Sequence, residues 1–230
     1  MANTLFSLFF PPRCPVCKGK REEAEALCPA CKRDYERDKH RPCPVCHRAA
    51  NACQCRPRYE SSAVFCYLSV FRYRENSPGG RMILKLKDGK SKAITALLER
   101  DMAKSLQKGC ILRHDALVTF VPRSKSARLE RGTDQERELA RALADHCTLE
   151  CRPCLDRRSK EKAQKDLDAA GRMESAQNSY KIGKNCPDLA GRQVILVDDV
   201  LTTGATMNAC AAILREAGAG TVVCLTAGRR

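Results

Sequence analysis

Two groups of residues in this chain have the types and spacing to do chemistry. The first is the run Val194-Ile195-Leu196-Val197-Asp198-Asp199-Val200-Leu201-Thr202-Thr203-Gly204-Ala205-Thr206. Its four leading apolar residues read as a buried parallel strand, which would deliver two carboxylates to the carboxyl end of a sheet, where open α/β sheets bind ligands. The turn from Val200 and Leu201 through Thr202, Thr203, Gly204, Ala205 and Thr206 then opens a helix. Its N–H groups and hydroxyls can ring a phosphate at the positive end of the helix dipole. Gly204 lets the backbone approach where a Cβ would obstruct it. Asp198 and Asp199 would repel that phosphate, so they must serve something else: the vicinal hydroxyls of a ribose, or a Mg²⁺ carried by a pyrophosphate. Helix capping alone needs only one such residue and does not account for the run.

The second group is a set of paired thiols in the first quarter of the chain: Cys14-Pro-Val-Cys17, Cys28-Pro-Ala-Cys31, Cys43-Pro-Val-Cys46 and Cys53-Gln-Cys55. Each Cys-x-x-Cys knuckle offers two thiolates to one tetrahedral ion, so the set reads as a zinc-ribbon module with two four-cysteine Zn²⁺ sites. The simplest pairing gives Cys14, Cys17, Cys28 and Cys31 to one ion and Cys43, Cys46, Cys53 and Cys55 to the other; an interleaved pairing has the same ligand count. His40 and His47 are spare donors and read as solvent-facing. The remaining eight of the 16 cysteines lack this organisation apart from Cys151-Arg-Pro-Cys154, which reads as buried or incidental thiols before a redox or metal pair.

The elements that must position these groups follow from periodicity. Composition shifts near Tyr59, with Arg56-Pro57-Arg58 as the linker, which divides the chain into a cysteine-rich module (1–58) and a larger domain (59–230). In the larger domain residues 63–73 read as one or two strands, broken by Ser77-Pro78-Gly79-Gly80. Residues 94–106 and 133–144 have helical spacing, and residues 116–121 form a short buried strand ending at Pro122. Residues 156–179 are polar and charged and read as a mobile loop or a solvated helix. After the strand 194–197 come a helix from about 205 to 217 and a last strand at 221–225. The order strand, turn, helix, strand implies an open, mainly parallel sheet with helices on both faces.

Composition bounds the partners. The net charge of +15 arises from 42 Lys+Arg against 27 Asp+Glu, and residues 1–131 carry about +14 of it. Such a surface either keeps the protein in solution or meets a polyanion. Absence of Trp and 5% aromatic content argue against stacking of bases, so nucleic acid would be held through its phosphates. The apolar stretch 5–10 is too short for a signal sequence, and no stretch approaches a membrane span. Reduced thiols on metal in the cytoplasm, without membrane insertion, is the expectation. Nothing in composition or motif fixes an oligomeric state.

The run around Asp198 resembles the phosphoribosyl-pyrophosphate motif of type I phosphoribosyltransferases. That resemblance implies that Asp198 and Asp199 hold ribose hydroxyls, that the loop through Thr206 holds the 5-phosphate, and that Pro122, Arg123 and Ser124 lie in a pyrophosphate loop. A cysteine-knuckle module ahead of such a domain resembles the ComF-type competence proteins. Leu84-Lys85-Leu86-Lys87-Asp88-Gly89, Arg131-Gly132-Thr133-Asp134-Gln135 and the spacing of Gln164, Leu167 and Arg172 add to the likeness. Thr133, Asp134, Glu161 and Ser175 depart from the family pattern. The resemblance implies binding of 5-phosphoribosyl-1-pyrophosphate with Mg²⁺ and a part in natural transformation, with single-stranded DNA and the DNA-uptake machinery as partners. The alternative is an active transferase that places ribose 5-phosphate on a nucleobase or amine. There Asp198 and Asp199 would orient the ribose for displacement at the anomeric carbon, and Mg²⁺ would steady the departing pyrophosphate.

Overall fold

The computed structural model describes residues 12–58, 61–87, 91–123, 134–158 and 178–230. Among its described residues the cysteine-rich segment contains one α-helix, α1 (Pro29–His40), between its two groups of thiols, and a 3₁₀ turn at Ala50–Ala52. Beyond it come β1 (Cys66–Arg72), α2 (Pro78–Lys87), α3 (Lys92–Gly109), β2 (Leu117–Phe120), α4 (Gln135–Cys147), β3 (Glu150–Cys151), β4 (Leu155–Arg157), β5 (Tyr180–Ile182), β6 (Gln193–Leu201), α5 (Ala205–Glu216) and β7 (Thr221–Arg229). Five strands form one sheet in the order β1-β7-β6-β2-β3, with every neighbour parallel. The expected parallel α/β architecture is present.

Alternation along β6 explains the two layers. Ile195 and Val197 pack with Met82, Leu98 and Leu139 of α2, α3 and α4 on one face. Val194 and Leu196 pack with Met207, Cys210 and Leu214 of α5 on the other. A strand buried on both faces is continuously apolar, as the sequence of β6 requires. The cysteine-rich segment adds to the first face: Leu27 and Tyr35 join the cluster of Leu68, Val70 and Phe71. Tyr35 meets the Phe71 ring edge-on, with centroids 5.6 Å apart at 69°.

The structure differs from the sequence reading in three places. Ser77-Pro78-Gly79-Gly80 opens α2 where a break was expected. Pro78 occupies a first-turn position that needs no N–H, and the Ser77 hydroxyl accepts from Gly80 N at 3.2 Å as an N-cap. The glycines are there for space: a Cβ on Gly79 would enter the Phe71 ring, and one on Gly80 would run into the Arg74 carbonyl. The strands β6 and β7 are also longer than the apolar runs 194–197 and 221–225, because their ladder continues through Asp198↔Thr226 and Leu201↔Arg229. Finally, the polar stretch 156–179 is flanked by an antiparallel pair, β4 with β5, in which Leu155 and Tyr180 are buried while Asp156 and Lys181 face outward.

Candidate functional site

Backbone pairing brings two loops together at the carboxyl end of β6. Val121 N donates to Val197 O at 3.0 Å, extending the β2–β6 ladder by one residue before Pro122, which has no N–H, ends it. Arg123 thereby falls beside the acids. Its Nε lies 2.5 Å from Glu136 Oε2 and its Nη2 3.7 Å from Asp199 Oδ2. The Asp199 N–H donates to Asp198 Oδ1 at 2.9 Å. Carboxylate oxygens of Glu136, Asp198 and Asp199 lie within 4.8 Å of one another. Ser124, read together with Pro122 and Arg123, lies outside the described residues.

The charges in this cluster are strained against each other. Burial lifts the Asp198 carboxyl well above the usual range, and repulsion from Asp199 and Glu136 lifts it further. Burial also raises Glu136, against the pull of Arg123. Burial works against the Arg123 charge, but Glu136, Asp199 and Asp198 together hold its pKa above the ordinary arginine value. Glu136 has no place in the motif run. Its only signal in the sequence is an acid in the first turn of a helix that follows the segment 131–135. Its side chain is 4% exposed, so it can act at the site only through Arg123 or through its field.

The phosphate-loop candidate has the geometry its residues require. Gly204 adopts φ +87°, a left-handed conformation that favours glycine. It is the N-cap of the 12-residue helix α5, which takes no side-chain cap there. Thr202 and Thr203 are exposed, whereas Val200 and Leu201 pack their side chains against the two cores. Burial pushes the Tyr180 hydroxyl up to about 12, against a weaker pull from Thr206 nearby. Tyr180, in β5, thus neighbours the start of α5, a proximity the sequence did not signal. Arg157 stacks on the Tyr180 ring at 5.7 Å and Arg158 Nε donates to Tyr180 O at 3.1 Å, so both arginines are anchored in the β4–β5 pair.

The thiols gather into two quartets, Cys14/Cys17/Cys28/Cys31 and Cys43/Cys46/Cys53/Cys55, each with sulfurs within 4.8 Å of one another. This is the sequential pairing. Sulfur separations of 3.5 Å for Cys17–Cys28, 3.9 Å for Cys43–Cys55 and 3.7 Å for Cys46–Cys53 approach the ~3.8 Å edge of a ZnS₄ tetrahedron with Zn–S near 2.3 Å. The two leading knuckles share one turn. Cys14 N bonds Gly19 O and Cys43 N bonds Arg48 O, both at 2.8 Å, with Lys18 at φ +65° and His47 at φ +56°. His47 is therefore a turn residue; it and His40 are exposed. Cys53 is in extended backbone, which puts the side chains of residues 53 and 55 on one side and explains how the tight Cys-x-Cys spacing serves one ion. Gln54 points the other way and donates its amide to Gly109 O at 2.9 Å. Cys154 is wholly buried and its thiol neighbour is Cys186, so it belongs to the core.

The parallel sheet, the acid pair before a glycine-turned helix and the two thiol quartets define a phosphoribosyltransferase-type domain carrying an N-terminal zinc ribbon. The chain matches the family model described as a phosphoribosyl transferase domain over residues 137–229 and the double zinc ribbon domain over residues 5–66. Among curated proteins it resembles competence protein F of Haemophilus influenzae, with 36% identity over 55 residues. That match spans 24% of this chain and 24% of the relative. Among solved structures, the allosteric regulatory enzyme of purine biosynthesis aligns at 19% identity over 60% of this chain and 27% of its own, with TM-score 0.38. The glutamine phosphoribosylpyrophosphate amidotransferase of B. subtilis complexed with ADP and GMP gives 19% identity, 57% and 26% coverage and TM-score 0.37. A hypoxanthine phosphoribosyltransferase from Staphylococcus aureus gives 11%, 63% and 61%, and 0.34.

Proposed function

We propose that this chain binds 5-phosphoribosyl-1-pyrophosphate with Mg²⁺ at the carboxyl end of β6 and acts in the cytoplasm on incoming single-stranded DNA, as part of DNA uptake. The observation that carries the ligand is the placement of Asp198 and Asp199 immediately before a loop of exposed threonines and a left-handed Gly204 at an uncapped helix start. In this reading the acids take the ribose hydroxyls, and Thr202 to Thr206 take the 5-phosphate. Arg123 faces the pyrophosphate, whose Mg²⁺ supplies the remaining positive charge. Residues 1–58 and 59–230 act as two domains that share a core.

The likeness to a competence protein and the excess of positive charge before residue 132 support the DNA role. Among the described residues no helix is long and apolar enough to cross a membrane. The second reading, an active transferase, uses the same site, with its chemistry supplied by an acceptor base or amine. Two titrations separate these readings. Calorimetry should show 5-phosphoribosyl-1-pyrophosphate binding that depends on Mg²⁺. Gel shifts should show single-stranded DNA retained independently of sequence and released steeply by salt. Replacing Lys85, Lys87, Lys90 and Lys92 by Glu should weaken DNA binding and leave the ligand affinity unchanged. Pyrophosphate release with a particular base, together with no salt-dependent DNA retention, would select the transferase. No ligand binding at all would overturn the site.

A further inference from the structure

We infer that Arg229, the last residue of β7, is a working part of the second zinc site, so that this site is completed by the phosphoribosyltransferase domain and not by the ribbon alone. The guanidinium is 5% exposed and reaches out of the sheet into the ribbon. Its Nη1 donates to Cys53 Sγ at 3.3 Å and its Nη2 to Cys55 O at 2.8 Å. Both bonds go to the Cys53-Gln54-Cys55 corner, the part of the site with the tightest ligand spacing.

The charge balance gives this contact its meaning. Four thiolates around one Zn²⁺ leave a site of charge −2 with its corner packed against the larger domain. A buried guanidinium offsets part of that charge, and its planar fork fixes one sulfur and one carbonyl together. The first quartet is built differently: the donor to one of its sulfurs is a backbone group of its own turn, Gly19 N to Cys17 Sγ at 3.4 Å. The two sites should therefore respond differently to loss of one arginine that lies 174 residues from Cys55 in sequence.

Register extends the effect toward the ligand end of the sheet. Arg229 is paired with Leu201 of β6, and Arg230 N donates to Leu201 O at 3.0 Å. The residue that holds the second quartet is thus in register with the strand that carries Asp198 and Asp199, and its chain neighbour Arg230 is hydrogen-bonded to that strand.

The test is zinc release from the full-length protein into excess chelator, followed with a colorimetric zinc indicator, with maleimide labelling and peptide mass mapping to identify which quartet opens. Arg229→Gln should release one zinc at least ~10-fold faster, in the range found for outer-shell partners of metal ligands. Cys43, Cys46, Cys53 and Cys55 should label first, and the first quartet should keep its wild-type rate. Gln54→Ala removes a neighbouring contact between the same corner and Gly109 without touching a sulfur, and should leave both rates near wild type. If Arg229→Gln does not yield folded protein, Arg229→Lys keeps the charge without the fork and should speed release from the second quartet alone by a smaller factor. Wild-type release rates in either arginine variant, acceleration of both quartets together, or equal acceleration by Gln54→Ala would overturn the inference; the last two would reduce Arg229 to a docking contact.

Discussion

Asp198, proposed to hold the ribose, works against the stability of its own fold. Its carboxyl is raised by burial and by Asp199 and Glu136, so the folded protein holds this proton to higher pH than the unfolded chain does. The folded state therefore binds more protons across the window above the ordinary Asp range, and stability falls as pH rises through that window. Asp198→Asn removes the charge and keeps an oxygen to accept from Asp199 N. Thermal melts at neutral pH should show the variant at least as stable as wild type, while calorimetry with 5-phosphoribosyl-1-pyrophosphate shows binding lost. A destabilised variant would mean that the carboxylate is a structural partner. Burial raises Glu136 as well, but unlike Asp198 it has a close ion-pair partner in Arg123. Removing Glu136 leaves Arg123 with the longer contact to Asp199 at 3.7 Å in its place. A buried pair broken with no replacement costs about 3 kcal/mol or more, so Glu136→Ala should lower the melting point, at a cost in stability up to that amount, and Arg123→Ala added to it should recover part of the loss. The position of the acids at the end of β6 was legible because the apolar run ahead of them reads as a buried strand and the Thr-Thr-Gly turn after them as a helix start. Glu136 was not, because its contact with Arg123 is made across the gap between the end of β2 and the first turn of α4.

At the scale of elements, the segments with a strong period were readable and those set by neighbours were not. Residues 94–106 and 205–217 carry an apolar stripe and form α3 and α5. The run 194–197 is apolar on every residue because the helical layers on its two faces, with α4 and α5 directly against β6, bury both. The continuation of β6 to Leu201 has no such signature, since it depends on ladder bonds to β7 that polar residues make as well as apolar ones. The helix α2 was hidden for a related reason: Pro-Gly-Gly is a break in an isolated peptide, yet here the strand β1 and the turn after it come too close for any Cβ. Gly80→Ala should therefore be costly although alanine is the better helix former. The carbonyl of Arg74 is backbone and cannot swing away as a side-chain end would. Urea titration should show a loss of at least ~1–3 kcal/mol, the range for forced overpacking. A gain in stability, as expected from helix propensity alone, would mean that the turn at 74–77 yields easily.

Over the whole molecule, the ribbon and the sheet exchange partners for their buried acids. Asp38 belongs to the ribbon, is wholly buried, and pairs with Arg74 of the larger domain at 3.0 Å. Asp101 belongs to α3, is 5% exposed, and receives Lys39 at 3.1 Å and the Tyr35 hydroxyl at 3.0 Å from α1. Neither part can leave without costing a carboxylate of the other its closer basic partner, with Arg41 at 3.9 Å from Asp38 and Lys104 at 3.8 Å from Asp101 left behind, and Phe71 would lose the Tyr35 ring that covers it. A composition break near residue 59 marks where the sequence changes character, but it carries no information about this exchange, which links residues 36 to 66 positions apart. Small cysteine modules owe their fold to the metal, so stripping zinc should unfold the ribbon and destabilise the larger domain through these lost contacts. Calorimetric melts of the zinc-loaded chain should show one transition. After chelation the remaining transition should fall by roughly five to ten degrees, on the order expected for losing ~2–3 kcal/mol from a domain of this size. Hydrogen exchange should then rise in β1 and in α3 around Asp101, while α5, on the opposite face of the sheet, stays protected. An unchanged melting temperature of the larger domain after complete zinc removal would mean that the ribbon is carried by the sheet without supporting it.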